Sequence, residues 1–176
     1  MIFVETSLPG AFQIDVEPRE DERGFFARTY CEREFAQQGL SARVAQCNLS
    51  RNRLAGTLRG MHYSIPPFAE SKLVRCTRGR IYDVLVDLRR ESPTHRQWIA
   101  VELSAENQRM IYVPPGVAHG FQTLEANTDV FYQMSEVFAA ESARGVRWND
   151  PAFGIEWVNE PSMISARDRG FEDYPA

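Results

Sequence analysis

Residues 81–88, IYDVLVDL, alternate strictly. In an extended chain Tyr82, Val84, Val86 and Leu88 share one face, while Ile81, Asp83, Leu85 and Asp87 share the other. Period two is the mark of a strand, and this strand sends both carboxylates to the same side. The preceding CTRGR reads as a turn, so 72–76 and 81–88 are predicted to pair as a hairpin. Further strands are predicted at 98–103 (WIAVEL), 109–113 (RMIYV), 120–124 (GFQTL) and 129–138 (DVFYQMSEVF). The breaks between them, SPTHRQ, SAEN, PPGVAH and EANT, are rich in turn formers. One stretch carries a helical pattern: CEREFAQQGL, 31–40, with Phe35 and Ala36 on an inner face and Gly39 as the stop. Many short, regularly spaced strands imply a β-sandwich or barrel. The tail, 140–176, reads as loops and short helices packed over that barrel. The expectation is one all-β domain spanning 1–176, without repeats or linkers.

Composition narrows the class. The chain has 176 residues, 43% hydrophobic and 25% charged, enough for one full core. The net charge of −4 has both signs interspersed, and no basic block points to nucleic acid. Three cysteines, Cys31, Cys47 and Cys76, lack zinc-type spacing and fit a reducing compartment better than a disulfide framework. No secretory leader is legible at the N-terminus and no apolar run approaches the roughly 20 residues of a membrane span. A cytoplasmic protein is expected, with no membrane partner.

The chemistry clusters around two histidines. His62 follows an Arg-Gly pair ten residues before Lys72, and PPGVAHGF places His119 in the P-x-G-x-x-H spacing of the second cupin motif. A metal cupin would add a second histidine beside His62, and Tyr63-Ser64 stands there instead. His62, His119 and Glu70 remain available to an ion only if the strands bring them together. Taken alone, His119 fits a pocket wall or core as well as it fits a chemical role, and His95 sits in a turn as a solvated residue.

GTLRGMHY, SKLVRCTRGRIYDVLVDLR, the PT…W…VELSAEN run, YVPPGVAHGF, VFYQMSE and RGVRWNDPAFGIEW together resemble the dTDP-4-dehydrorhamnose 3,5-epimerase family. DERGFF near the start and ISARD near the end fit it too, so the likeness runs along nearly the whole chain in the right order. The resemblance implies a cupin-type jelly-roll barrel that dimerises and works on nucleotide-linked 4-keto-6-deoxy sugars without a metal or other cofactor. A 4-keto group acidifies the protons on C3 and C5, so such an enzyme needs a base, an acid on the other face and a partner for the enolate oxygen. By resemblance His62 is the base, Asp168 its orienting carboxylate, Lys72 the enolate partner and Tyr132 the proton donor. Arg59 and Arg23 fit the diphosphate, Gln46 and Asn48 match polar substrate contacts, and His119 falls on the pocket wall. Phe26 is placed to stack on the base. The N-terminal segment with Arg23 and Phe26 is implied to complete the neighbouring subunit's site in a homodimer.

Residue by residue the patterns leave other readings open. Asp168 fits a local partner of Arg167 or Arg169, Lys72 a solvated strand end, and Tyr132 a core tyrosine with a tethered hydroxyl. Asp83 fits a support for His119 or for the base as well as a plain barrel residue.

The departures from the family pattern fall on specificity. After GFF stands Ala27-Arg28 where an acidic residue usually meets the thymine ring. Ser64 replaces the usual Gln after His-Tyr, Gln133 the usual Lys after the tyrosine, and Val137-Phe138 a Tyr-rich pair. A polar group built for a substrate hydroxyl is a strong discriminator, so a changed sugar or a single-centre epimerase is an alternative to double inversion. A 3,4-ketoisomerase, a metal-dependent cupin enzyme and a non-catalytic nucleotide-sugar binding module are the others.

Overall fold

The computed structural model describes residues 1–175. The chain opens with β1 (Ile2–Glu5), β2 (Phe12–Asp15), β3 (Arg19–Asp21) and β4 (Gly24–Phe26), followed by a short helix, α1 (Glu32–Gln37). Eight strands then build the body: β5 (Gln46–Asn52), β6 (Thr57–Ser64), β7 (Lys72–Arg78), β8 (Arg80–Asp87), β9 (Trp98–Ser104), β10 (Met110–Val113), β11 (Val117–Thr123) and β12 (Thr128–Met134). The tail adds β13 (Ala143–Gly145), β14 (Met163–Ile164) and α2 (Ala166–Arg169).

Two sheets face each other. One runs β1-β2-β10-β7-β12-β5 and the other β13-β6-β11-β8-β9, with β14 alongside β6. From β5 to β8, and again from β9 to β12, successive strands fall in alternate sheets, so the chain winds around a common interior. Val74, Ile111 and Val130 from the first sheet meet Ile81, Leu85 and Phe121 from the second in that interior. This is a cupin-type jelly roll, as expected. Truncating a core residue such as Leu85, fully buried, to alanine costs about 2–5 kcal/mol.

The predicted hairpin does not form. β7 pairs with β10 and β12, whereas β8 pairs with β9 and β11. Gly79 is the corner at which the chain leaves one sheet for the other. It holds φ +74°, and a Cβ there would stand 2.4 Å from the Thr128 hydroxyl. Period two names a strand's faces but not its neighbours. Both faces of β8 are in fact buried. Ile81 and Leu85 face the interior, while Val84 and Val86 lie under Phe153 and Trp157 of the tail.

Other boundaries shift. β11 begins at Val117, so His119 is a strand residue rather than part of a turn, and β12 ends at Met134. The helix is shorter than 31–40, and only Phe35 is buried, against Phe3, Tyr30 and Tyr112; Ala36 is exposed. Six residues are too few for a helix to stand alone, and this packing holds it. Gly39, φ +71°, ends it with its amide on the Ala36 carbonyl. His95 is not simply solvated: its Nε2 lies 3.1 Å from the Tyr174 hydroxyl.

Candidate active site

A pocket of about 540 Å³ opens between the two sheets, within the range that holds small ligands. One sheet contributes Gln46, Asn48, Lys72, Tyr132 and Met134; the other contributes Arg59, His62, Ser64, His119 and Phe121. Eight of the ten residues expected from the sequence are therefore gathered here or directly behind the wall. The exceptions are Arg23 and Phe26.

A β-bulge aims the wall. His119 pairs with His62 and Phe121 with Arg59, so two steps on β11 match three on β6. In a regular strand Arg59 and His62 would point to opposite faces; the extra residue turns both inward. Gly60 makes this possible. It has φ +129°, and a Cβ on it would stand 2.6 Å from the Gly120 Cα.

His62 Nε2 lies 2.7 Å from Asp168 Oδ1. Asp168 is 5% exposed and sits on α2, whose N-cap Ser165 hydroxyl accepts the Asp168 amide at 3.0 Å. Its other oxygen accepts the Gly60 amide at 3.3 Å. Burial pushes this carboxyl up, but the hydrogen bond and charge of His62, with the Gly60 and Ser165 contacts, hold it below the usual carboxylate value. An ionised carboxylate only accepts, so His62 donates from Nε2 and carries its lone pair on Nδ1. Phe171 braces the ring edge-on, with centroids 5.9 Å apart. The local partners Arg167 and Arg169 do not take Asp168.

A second histidine–aspartate pair lies beside it. His119 Nε2 is 2.8 Å from Asp83 Oδ2, so Asp83 supports His119 and not His62. Asp83 is fully buried, and burial pushes its carboxyl up despite the pull of His119 and Lys72. Each of the two pocket histidines is thus tied to its own carboxylate. Among the described residues no group of three or more His, Cys, Asp or Glu side chains is placed to hold a metal ion.

Lys72 is 9% exposed, and its ammonium lies 3.3 Å from Glu70 Oε1. Burying an ammonium is costly unless it is paired, and Glu70 provides the pair. Tyr132 is half-buried on β12, and burial raises its hydroxyl above the ordinary phenol value, partly offset by Arg59. Arg59 donates through Nε to Asn52 Oδ1 at 2.7 Å, which fixes the guanidinium. Gln46 and Asn48 each place a side-chain nitrogen on Met134 Sδ, and Gln46 Oε1 accepts the Phe138 amide, holding that exposed ring at the rim.

Arg23 and Phe26 lie on the β3–β4 ribbon, which joins neither main sheet. Phe26 is 74% exposed, and among the described residues Arg23 bonds only to Asp21. Neither reaches the pocket of its own chain. Arg144 and Arg167 do, and neither was expected. Both were legible in hindsight: Arg167 adjoins Asp168, and Arg144 opens the RGVRWNDPAFGIEW motif.

The family model described as dTDP-4-dehydrorhamnose 3,5-epimerase matches residues 5–174. A dTDP-4-dehydrorhamnose 3,5-epimerase of Sinorhizobium fredii is 44% identical over 151 residues, covering 85% of this chain and 77% of that protein. The crystal structure of dTDP-4-dehydrorhamnose 3,5-epimerase from Elizabethkingia anophelis superposes with a TM-score of 0.95 at 36% identity, covering 99% of this chain and 96% of that one. A 3'-monoepimerase from Streptomyces bikiniensis, in complex with dTDP-quinovose, superposes with a TM-score of 0.88 at 32% identity, covering 96% and 85%.

Proposed function

The chain belongs to the dTDP-4-dehydrorhamnose 3,5-epimerase family, and from that premise and the pocket geometry we propose how it inverts C3 and C5 of a dTDP-linked 4-keto-6-deoxyhexose. His62 Nδ1 removes the proton beside the ketone. Asp168 keeps the ring in the tautomer that leaves Nδ1 free and stabilises the imidazolium that forms. The Lys72 ammonium meets the charge that develops on the C4 oxygen. Tyr132 returns a proton from the other side, because it projects from the opposing sheet.

The observation that carries this reading is the division of labour between the sheets. The dyad stands on one wall of the pocket, and Lys72 and Tyr132 stand on the other. Inversion demands an acid and a base on opposite faces of a planar enolate. Arg59, Arg144 and Arg167 supply guanidinium groups for a diphosphate at the mouth.

The reading includes a homodimer whose β3–β4 ribbon completes the neighbouring pocket with Arg23 and Phe26. Their exposure, and their absence from the lining of their own chain's pocket, support it. It also places one working domain in the cytoplasm, where three free thiols are stable, feeding deoxysugars to cell-surface polysaccharide.

A second reading, inversion at one carbon only, is favoured by Ser64 and Phe138 in the pocket wall where the family usually has Gln and Tyr. Proton NMR in deuterium oxide with dTDP-4-keto-6-deoxyglucose tests both. Exchange at C3 and C5 supports double inversion, exchange at one carbon supports the second reading, and no exchange overturns both.

A further inference from the structure

Glu70 is a carboxylate on the pocket wall whose two oxygens are used unequally. Oε1 accepts the Ser64 hydroxyl at 3.3 Å and lies 3.3 Å from the Lys72 ammonium. Oε2 has no hydrogen-bond partner among the described residues; Glu70 as a whole is only 9% exposed, yet Oε2 is not sealed from solvent and opens toward the pocket that Glu70 lines. Water serves that oxygen in the open pocket; a carboxylate oxygen that loses its water needs a donor in its place, and an ionised carboxylate only accepts. When a ligand fills the pocket and displaces water, the donor for Oε2 has to come from that ligand.

Resting on the epimerase reading, the geometry assigns Glu70 as a specificity-determining residue: we propose that Oε2 accepts a hydrogen bond from the sugar hydroxyl on C3, next to the ketone. Lys72 holds the C4 oxygen in that reading, and Glu70 adjoins Lys72, so Oε2 lies alongside a substituent of a carbon flanking C4. The two flanking carbons of a 4-keto-6-deoxyhexose differ. C3 carries a hydroxyl, which can donate. C5 carries a methyl group, which cannot. Glu70 therefore sets the ring's direction in the pocket and selects sugars that keep the C3 hydroxyl. Ser64 belongs to the same device, since a larger side chain there would fill the space beside Glu70.

The test compares dTDP-4-keto-6-deoxyglucose with its 3-deoxy counterpart, reading solvent-deuterium exchange at C5, or at C3 where C5 does not exchange, as kcat/KM for each. The ratio of the two cancels any effect that Glu70 exerts through Lys72 alone. Wild-type protein is expected to favour the 3-hydroxy sugar by about 10- to 100-fold, the worth of one hydrogen bond to a charged group. Glu70→Ala is expected to bring the ratio within about threefold of unity. Glu70→Gln keeps the shape and covers the case in which the alanine variant fails to fold; its ratio is expected to drop at least about threefold. A wild-type ratio near unity, or an unchanged ratio in a folded variant, overturns the proposal. No exchange by wild type on either sugar overturns the epimerase reading and this assignment with it.

Discussion

His62 and Asp168 are 106 residues apart in the chain and 2.7 Å apart in space. The bond consumes Nε2 and leaves Nδ1 as the only basic nitrogen on the ring. Two substitutions separate the roles. His62→Asn is expected to abolish solvent-deuterium incorporation into the sugar while leaving the circular dichroism spectrum unchanged. Asp168→Asn keeps the shape but removes the charge, and is expected to lower kcat about 10²- to 10⁴-fold. Incorporation that persists in His62→Asn would remove it as the base.

Tyr132 separates proton removal from inversion. Tyr132→Phe is expected to retain exchange, because His62 still removes and returns a proton on its own face. Net epimer formation is expected to fall about 10²-fold. Because burial raises the hydroxyl above its ordinary value of 10.0, it remains a donor through neutral and mildly alkaline pH. No alkaline loss of activity between pH 7 and 9 is expected from it. Equal losses of exchange and inversion would place Tyr132 elsewhere in the mechanism.

Arg23 and Phe26 test the shared site. Arg23→Ala is expected to raise KM about tenfold or more, although the residue does not line its own pocket. Doubly substituted Arg23→Ala/Phe26→Ala chains mixed with His62→Asn chains form mixed dimers. Each mixed dimer holds one intact site, so about a quarter of wild-type activity is expected to return on random assortment. Size-exclusion chromatography at the size of a monomer, or no recovery on mixing, would exclude a ribbon acting in trans.

Asp87 tests acid stability. It is fully buried, and burial alone would push it up. The Arg89 guanidinium, the Ser92 and Thr94 hydroxyls and the Arg89 amide more than offset that and hold it far below its usual 3.8. A carboxyl lowered on folding stabilises the native state above its unfolded pKa and loses that contribution as pH falls through the folded value. Asp87→Asn is expected to be about 2–3 kcal/mol less stable at neutral pH, with the gap closing below pH 3.8. The difference between the two proteins cancels the remaining carboxylates, Asp83 included. Chemical denaturation across pH measures it, and a pH-independent gap would mean that Asp87 acts through packing instead.

Strand periodicity at 81–88 and the turn-rich breaks are local patterns that follow from side-chain size and polarity, so the barrel class was legible in them, whereas the eight residues in or behind the pocket wall were legible only through the resemblance of the ordered motifs to the family. The motifs also named Asp168, which no spacing argument distinguishes from a partner of Arg167. Only the tertiary structure decided how these residues meet. It set β7 and β8 in opposite sheets about Gly79, because strand pairing depends on the summed packing of distant segments. It inserted the bulge at Gly60 that turns Arg59 and His62 to one side, which an alternation of two cannot express. It gave Asp83 to His119 and Asp168 to His62, since a hydrogen bond requires atoms within about 3 Å and no sequence distance encodes that. It brought Arg144 to the pocket and kept Arg23 and Phe26 away from it, because the placement of short edge strands and ribbons is fixed by what they pack against and not by their own composition.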